Sequence, residues 1–160
     1  MSERNLELNR LIGKIYRVSM KLEEKSLCVD KNLNLTVNEL HLLECIKSNT
    51  KGDEGPTISS IATELDITRP STTVAVNKLN AKKYVDKIGC VNDGRSVRIK
   101  LTSKGEKAYA LYHTYTNEIS AALNECFSKE EIVSLEKAFG KIDEFFTERL
   151  NEKEAEEFEF

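Results

Sequence analysis

Hydroxyl, amide and cationic side chains are concentrated in residues 68–78, which read TRPSTTVAVNK. Thr68 can cap a helix, and Pro70 suits a first helical turn, where no amide proton is needed. Capping requires one hydroxyl, whereas this helix start carries four. Hydroxyls and amides can bind base edges or phosphates, and an arginine can form two hydrogen bonds with guanine. We predict that the helix reads the major groove of double-stranded DNA through Thr68, Arg69, Ser71, Thr72, Thr73 and Asn77, and binds a phosphate through Lys78.

A second cluster able to contact DNA lies in the sequence GCVNDGR, where Asp-Gly chemistry indicates a hairpin turn. Arg95 at the tip can enter a narrow minor groove, where negative potential is concentrated. Asp93, two residues earlier, can hold the guanidinium in position. The alternative is a surface Asp–Arg pair, which is worth only ~0–1 kcal/mol. Because the hairpin follows the polar helix, we predict that Asp93 and Arg95 belong to a DNA interface.

The elements that must position these residues occur in an informative order. A short helix capped by Thr57 comes first, a turn at residues 66–67 follows, and the polar helix begins after Thr68. Residues 84–88 and 96–101 then alternate apolar and polar side chains, as half-buried strands do. Two short helices followed by a hairpin are the layout of a winged helix-turn-helix, which places one helix in the major groove.

Four further helices are indicated outside this segment. Residues 6–27 repeat apolar side chains at steps of three and four, which predicts an amphipathic helix. Thr36 and Glu39 fit a capping box at the start of a second helix. A fifth helix follows Thr102, and a capping box at residues 128–131 starts a sixth. The predicted fold is mainly α, an α+β winged helix with six helices, a two-stranded β-hairpin wing, and helical regions from both termini.

Charge is distributed unevenly along the 160 residues. The formal net charge is −3 at pH 7, which does not favour a nucleic-acid partner. Residues 68–104 nevertheless hold nine cations against two carboxylates, a local net charge of +7. From Glu125 onward acidic residues dominate, and the chain finishes in NEKEAEEFEF. Charge runs are often only solvated faces, but this basic run coincides with the polar helix and the hairpin and predicts a contact face for DNA.

The remaining composition argues against other functional classes. Four widely spaced cysteines, no signal-peptide pattern and no apolar run of ~18–20 residues indicate a cytoplasmic protein with reduced thiols and no membrane partner. No nucleophile elbow, phosphate-binding glycine-rich loop or paired catalytic histidine and carboxylate is recognisable. We therefore expect neither an enzyme nor a bound cofactor.

Residues 93–105 read DGRSVRIKLTSKG, an Asp-x-Arg tip, an alternating strand and a Leu-Thr-x-x-Gly sequence. This pattern resembles the wing of the MarR family of winged-helix transcriptional regulators, and the resemblance covers about residues 6–150. It implies a homodimer on a pseudo-palindromic operator. The long terminal helices fit this, because so small a winged core could hardly bury the apolar residues of both. The implied division is a helical dimerisation region (residues 1–35 and 102–150), a DNA-binding lobe (residues 36–101) and an acidic, mobile tail (residues 151–160).

Two further segments are similar to one branch of that family. They are Glu39-Leu40-His41 in the second helix, and residues 72–79 continued by residues 81–85. Both resemble the FabT-like proteins, which repress fatty-acid synthesis genes and use acyl carrier protein bearing a long acyl chain as co-repressor. The resemblance implies such an acyl carrier protein, or a small molecule, as effector. Arg69-Pro70 departs from this branch, which tends to have a smaller, uncharged pair.

A metal-responsive regulator is one alternative within the family. The candidate ligands, in the zones used by zinc-responsive members, are Cys28, Glu39, His41 and His113. Zinc prefers about four converging ligands in which histidine or cysteine is prominent. The chain has only two histidines, and a lone helical histidine is more often a packed side chain. We therefore expect no metal site.

A thiol redox sensor is the other alternative. Reactive cysteines need an accessible, electropositive site. Cys90 near Lys87 and Cys28 in a linker are the candidates, whereas Cys45 and Cys126 are predicted on helices, where buried and inert thiols are common. The residues that bind the effector cannot be assigned from these patterns.

Overall fold

The computed structural model describes residues 3–27, 33–89 and 97–157. Within these ranges it contains six helices and an antiparallel pair of strands, as the sequence predicts. The elements are α1 (Glu3–Leu27), α2 (Val37–Ser48), α3 (Ile58–Glu64), α4 (Arg69–Ala81), β1 (Val85–Gly89), β2 (Val97–Leu101), α5 (Ser103–Cys126) and α6 (Lys129–Glu157).

Side-chain capping sets the first residues of α2, α3, α4 and α6, at the predicted positions. Thr36 and Glu39 form a reciprocal capping box on α2, and the Thr57 hydroxyl accepts a hydrogen bond from the third residue of α3. The Thr68 hydroxyl accepts from the Ser71 amide at 3.3 Å. These bonds satisfy amides that have no partner within a helix. Local sequence therefore determines where each helix begins.

The chain divides into two compact units, residues 1–116 and residues 117–160. The first unit has a core of fully buried side chains from α2, α3, α4 and β2, including Leu43, Ile61, Leu79 and Ile99. The first half of α5 joins this core through buried Ala108 and Tyr112. The unit therefore continues beyond residue 101, where the sequence placed the end of the DNA-binding lobe.

The hairpin is built onto the core along both edges of β2. On one edge β2 pairs with β1, with Val85 opposite Leu101. On the other edge the Ile99 amide donates to the Pro56 carbonyl at 2.9 Å. A Cβ atom at Gly55 would lie 1.9 Å from the Ile99 carbonyl oxygen, so this close approach requires glycine.

The Leu-Thr-x-x-Gly sequence joins the hairpin to α5. The Thr102 hydroxyl donates to the Lys83 carbonyl at 2.8 Å and accepts from the Gly105 amide at 3.1 Å. A Cβ atom at Gly105 would lie 2.1 Å from the Tyr84 carbonyl oxygen. Close packing therefore explains why threonine and glycine occupy these positions. Together they hold the base of the hairpin against the first turn of α5.

Two features of the helices depend on more than residue type. Val74 on α4 is apolar but 55% exposed, because buried Val76 and Leu79 lie on the other side of the helix. Residues 151–157, which begin the predicted acidic tail, continue α6, which is helical through Glu157. Alanine, lysine and glutamate in this segment are good helix formers, which explains the continuation.

The second unit contains the end of α5 and all of α6. Its large apolar side chains are about half exposed, including Leu123, Phe139, Phe146 and Leu150. Among the described residues, no helix combines the length and apolar character needed to cross a membrane.

Candidate nucleic-acid interface

The polar helix predicted from the sequence is α4. One face of this helix is exposed. Arg69, Thr73 and Asn77 are four residues apart, so they share a face, and all three are exposed. Thr68, Ser71 and Lys78 are exposed as well. The opposite face is buried through Val76 and Leu79. The core therefore fixes α4 while its polar side remains available to a partner.

Thr72 does not belong to this exposed face. Its side chain is fully buried, and its hydroxyl donates to the Thr68 carbonyl at 3.0 Å. Thr72 precedes Val76 by four residues and therefore points with it into the core. The prediction that Thr72 contacts DNA is wrong, because in this fold the residue has no surface to offer.

Hydrogen bonds within the protein already orient several exposed side chains of α4. The Thr73 hydroxyl donates to the Arg69 carbonyl at 2.8 Å, so the hydroxyl oxygen remains free to accept. The ammonium group of Lys87, on β1, donates to the Asn77 side-chain oxygen. Lys87 was not among the predicted site residues. An alternating strand beside a helix does not by itself indicate which side chain of the helix it meets.

The basic character of the lobe is partly neutralised by acidic residues from outside residues 68–104. Lys82 contacts both carboxylate oxygens of Glu39 at 2.8 Å, and Lys100 contacts Asp53 at 3.0 Å. The local charge of +7 thus overstates the field of this surface. Arg69 and Lys78 remain exposed on α4, and its first turn contains no acidic residue. This turn also presents the positive end of the helix dipole, which favours phosphate.

The wing tip lies outside the described residues. Asp93 and Arg95 fall in residues 90–96, as does Cys90, and Cys28 falls in residues 28–32. Their predicted roles stay predictions.

Two of the candidate zinc ligands have other partners. Glu39 caps α2 and binds Lys82, whereas the His41 ring nitrogen Nε2 lies 2.8 Å from a Glu23 carboxylate oxygen on α1. Burial acts to raise the pKa of Glu39, but hydrogen bonds from Lys82 and Thr36, with the Lys82 charge, lower this pKa below its ordinary value. Within the described ranges, no group of three or more His, Cys, Asp and Glu side chains is arranged to hold a metal ion.

The two described cysteines differ in accessibility. Cys45 is buried in the core, and Cys126 is exposed near the end of α5. Burial, with the negative charges of Glu64 and Glu44, raises the pKa of Cys45 to about 11. Because the thiolate is the reactive form, Cys45 is poorly suited to redox sensing.

A cavity of about 810 Å³ lies between α1 and the start of α2. Tyr16, Met20 and Leu40 contribute apolar surface, and Arg17 and Lys21 contribute positive charge. The sequence could not identify this lining, because it depends on how two helices pack. The cavity is large enough for a small organic ligand.

Comparison with known proteins agrees with this architecture. Residues 33–96 match the model of the MarR family. The helix-turn-helix-type transcriptional regulator YpoP of Bacillus subtilis (strain 168) is 23% identical over 139 residues, which are 86% of this chain and 92% of that protein.

Two structures solved with DNA share the fold. FabT of Streptococcus pneumoniae in complex with DNA has a TM-score of 0.79 at 22% identity, covering 90% of this chain and 98% of FabT. The MepR–DNA complex of S. aureus has a TM-score of 0.70 at 20% identity, covering 83% of this chain and 94% of MepR.

Regulators of this family are non-enzymatic DNA-binding proteins, so the prediction that the chain is not an enzyme is confirmed. Residues 33–96 therefore carry the sequence of a MarR-family winged helix-turn-helix, the DNA-binding segment of transcriptional regulators, and the related regulator and the shared fold agree with this assignment.

Proposed function

We propose that the protein is a ligand-responsive repressor that binds a pseudo-palindromic operator as a homodimer. The observation that carries this proposal is the exposed polar face of α4 above a buried apolar face. The contacts that we propose in the major groove are Thr68, Arg69, Ser71, Thr73 and Asn77, with Lys78 at a phosphate and Asp93 and Arg95 at the wing. An operator-binding protein acts where the chromosome lies, which places it in the cytoplasm.

The apolar stripe on α1 supports the homodimer. Leu8, Leu11, Ile15, Val18 and Leu22 follow one another at alternating steps of three and four, and each is 43–57% exposed. This is the spacing of a helix–helix seam. An exposed apolar patch of this kind on a soluble chain favours association, and a second copy offers the matching surface. Dimerisation would place two α4 helices on half-sites about 34–36 Å apart.

The cavity between α1 and α2 supports ligand control. One wall belongs to the helix with the apolar stripe and the other to the lobe that carries α4, so an occupant would change how the two are held. Apolar walls with Arg17 and Lys21 at the same cavity suit an apolar chain that carries negative charge. Together with the FabT-like segments in α2 and α4, this favours an acyl chain on acyl carrier protein as effector and fatty-acid synthesis genes as targets.

Selection of genomic fragments by the purified protein tests these proposals. We expect enrichment of promoters of lipid-synthesis genes, and binding to them that tightens by ~5–150-fold when long-chain acyl carrier protein is added. Acyl carrier protein without the acyl chain should have no such effect. Enrichment of efflux or metal-uptake promoters would contradict the lipid assignment, and no enrichment would contradict operator binding.

A variant that fills the cavity tests the effector site independently of the DNA site. Met20→Trp should keep the basal affinity for the selected fragment and lose the response to acyl carrier protein, because the new side chain occupies the cavity. Met20→Leu preserves the volume and should keep the response. If acyl carrier protein changes the DNA affinity of both variants equally, the effector binds outside this cavity.

A further inference from the structure

Val74 lies in the middle of the exposed face of α4. The buried side of this helix is formed by Thr72, Val76 and Leu79. Successive residues of a helix are turned by about 100°, which places Val74 almost directly opposite the centre of that buried side. Its side chain is 55% exposed, and the polar residues around it are exposed as well. Val74 therefore projects almost straight away from the core.

Two other elements flank this face without covering Val74. On one side, the Lys87 ammonium group of β1 donates a hydrogen bond to the Asn77 side-chain oxygen. On the other side, a groove of about 540 Å³ lies between α4 and the first turn of α2, and Ser71, Val74 and Lys78 form part of its wall. A partner that approaches α4 between β1 and α2 therefore meets Val74 at the middle of its contact.

Neither the core nor the helix explains a valine at this position. The exposed side chain lies outside the buried cluster of the lobe. A β-branched residue is also a weaker helix former than alanine, lysine or glutamate. An apolar side chain contributes most when it is removed from water, so this position suits a contact that forms only with a partner.

The major groove of DNA offers a valine one apolar group, which is the C5 methyl of thymine. The other groups that bases present there are hydrogen-bond donors and acceptors, and a valine side chain has neither. Covering such a polar edge with valine removes its water without replacing the hydrogen bonds, which disfavours that base. Contact with the thymine methyl instead removes two apolar surfaces from water.

We propose that Val74 is a specificity-determining residue of the operator contact, which packs against the C5 methyl group of a thymine and selects that base at one position in each half-site. This inference rests on the proposed placement of α4 in the major groove. It adds an apolar contact to the polar contacts, which were predicted from their hydrogen-bonding side chains.

Replacement of thymidine by deoxyuridine tests the inference, because it removes only the methyl group. Operator sequences are first selected with the wild-type protein, and affinities are then measured for duplexes with deoxyuridine at each thymidine in turn. For the wild-type protein, we expect about fourfold weaker binding at one such position per half-site, which is the effect of one buried methyl group. Val74→Ala no longer reaches the methyl group and should bind the two duplexes equally.

Salt dependence distinguishes this contact from a phosphate contact on the same face. Lys78→Met is the matched control, since it removes a lysine that we place at a phosphate. It should reduce the slope of log affinity against log salt by ~0.9 and keep the difference between the two duplexes. Val74→Ala removes no charge and should keep the wild-type salt slope. Its thermal unfolding should match that of the wild type, because the Val74 side chain is exposed and alanine is a good helix former.

Failure of the inference can be told apart from failure of the proposed function. If the wild-type protein selects an operator but binds every deoxyuridine duplex as it binds the unmodified one, the protein contacts no thymine methyl group and the inference is wrong. If deoxyuridine weakens binding and Val74→Ala retains the whole effect, another side chain makes the contact and the inference is also wrong. If the wild-type protein selects no sequence, operator binding itself fails, and the inference fails with it.

Discussion

Lys83 occupies a backbone conformation that favours glycine. Its φ is +62°, and it lies in the tight turn between α4 and β1. The turn is held by its neighbours: the Lys83 amide donates to the Asn80 carbonyl at 2.9 Å, and its own carbonyl accepts from Thr102. The left-handed backbone conformation costs a residue with a Cβ atom roughly 1–2 kcal/mol. The surrounding hydrogen bonds therefore hold Lys83 in a conformation that it would not adopt by itself.

Replacing Lys83 with glycine should stabilise the protein. Glycine removes the steric penalty but has more freedom to lose on folding, so we expect the free energy of unfolding to rise by about 1 kcal/mol. Urea denaturation followed by circular dichroism measures it. Lys83→Ala keeps the Cβ atom and should bring no such gain. A glycine variant no more stable than the alanine variant would show that the turn is not strained.

At the scale of the elements, Glu39 links the start of α2 to the end of α4. Its carboxylate accepts from the Thr36 amide at 2.8 Å and from Lys82 on both oxygens, and the Glu39 side chain is only 11% exposed. The Lys82 ammonium group also donates to the Asn34 carbonyl at 2.9 Å. A single carboxylate thus serves both as a helix cap and as an ion-pair partner.

Glu39→Gln should weaken this link in a way that depends on pH. Glutamine can preserve the capping box but not the charge, so at pH 7 we expect a loss of about 1–2 kcal/mol in the free energy of unfolding. The pKa of Glu39 is lowered in the folded state. Its stabilising contribution is therefore complete above the ordinary carboxyl pKa and is lost as pH falls through the lowered value.

Urea denaturation of both proteins from pH 7 to pH 3 checks this expectation, and the two curves should converge at the acidic end. The capping box on α6 provides a control, because Glu131 has an equivalent role but is fully exposed. Glu131→Gln should have a much smaller effect at pH 7. If the difference in the free energy of unfolding between wild type and Glu39→Gln stays constant with pH, the Glu39 charge does not have this role.

At the scale of the whole molecule, the α1 stripe should determine assembly. Ile15→Asp places a charge at the centre of the stripe, on a side chain that is 55% exposed in the single chain and so contributes little to its own fold. We expect a folded monomer in sedimentation, with operator affinity reduced by roughly 100-fold or more because the two half-sites are no longer bound together. Lys14→Asp, at an exposed position beside it, should remain dimeric. A dimeric Ile15→Asp protein would exclude this face from the interface.

Much of the fold could be predicted because its signals are local. Threonine and serine caps mark helix starts, and alternation marks the strands, so each needs only neighbouring residues. Thr72 was misassigned because residue type was considered without the phase of the helix. The Lys87–Asn77 bond and the cavity on α1 could not be predicted, since both depend on how separate elements pack.

The division of α4 into a buried face and an exposed face has a consequence for how such proteins diverge. Arg69, Thr73 and Asn77 are exposed and lie outside the buried core, and surface substitutions of this kind usually change stability by less than about 0.5 kcal/mol. Under the proposed contacts of α4 in the major groove, mutations there would alter the DNA sequence that is bound without threatening the fold. After gene duplication, a copy of this protein can therefore acquire a new set of target genes through a few substitutions, while Thr72, Val76 and Leu79 stay under selection for packing.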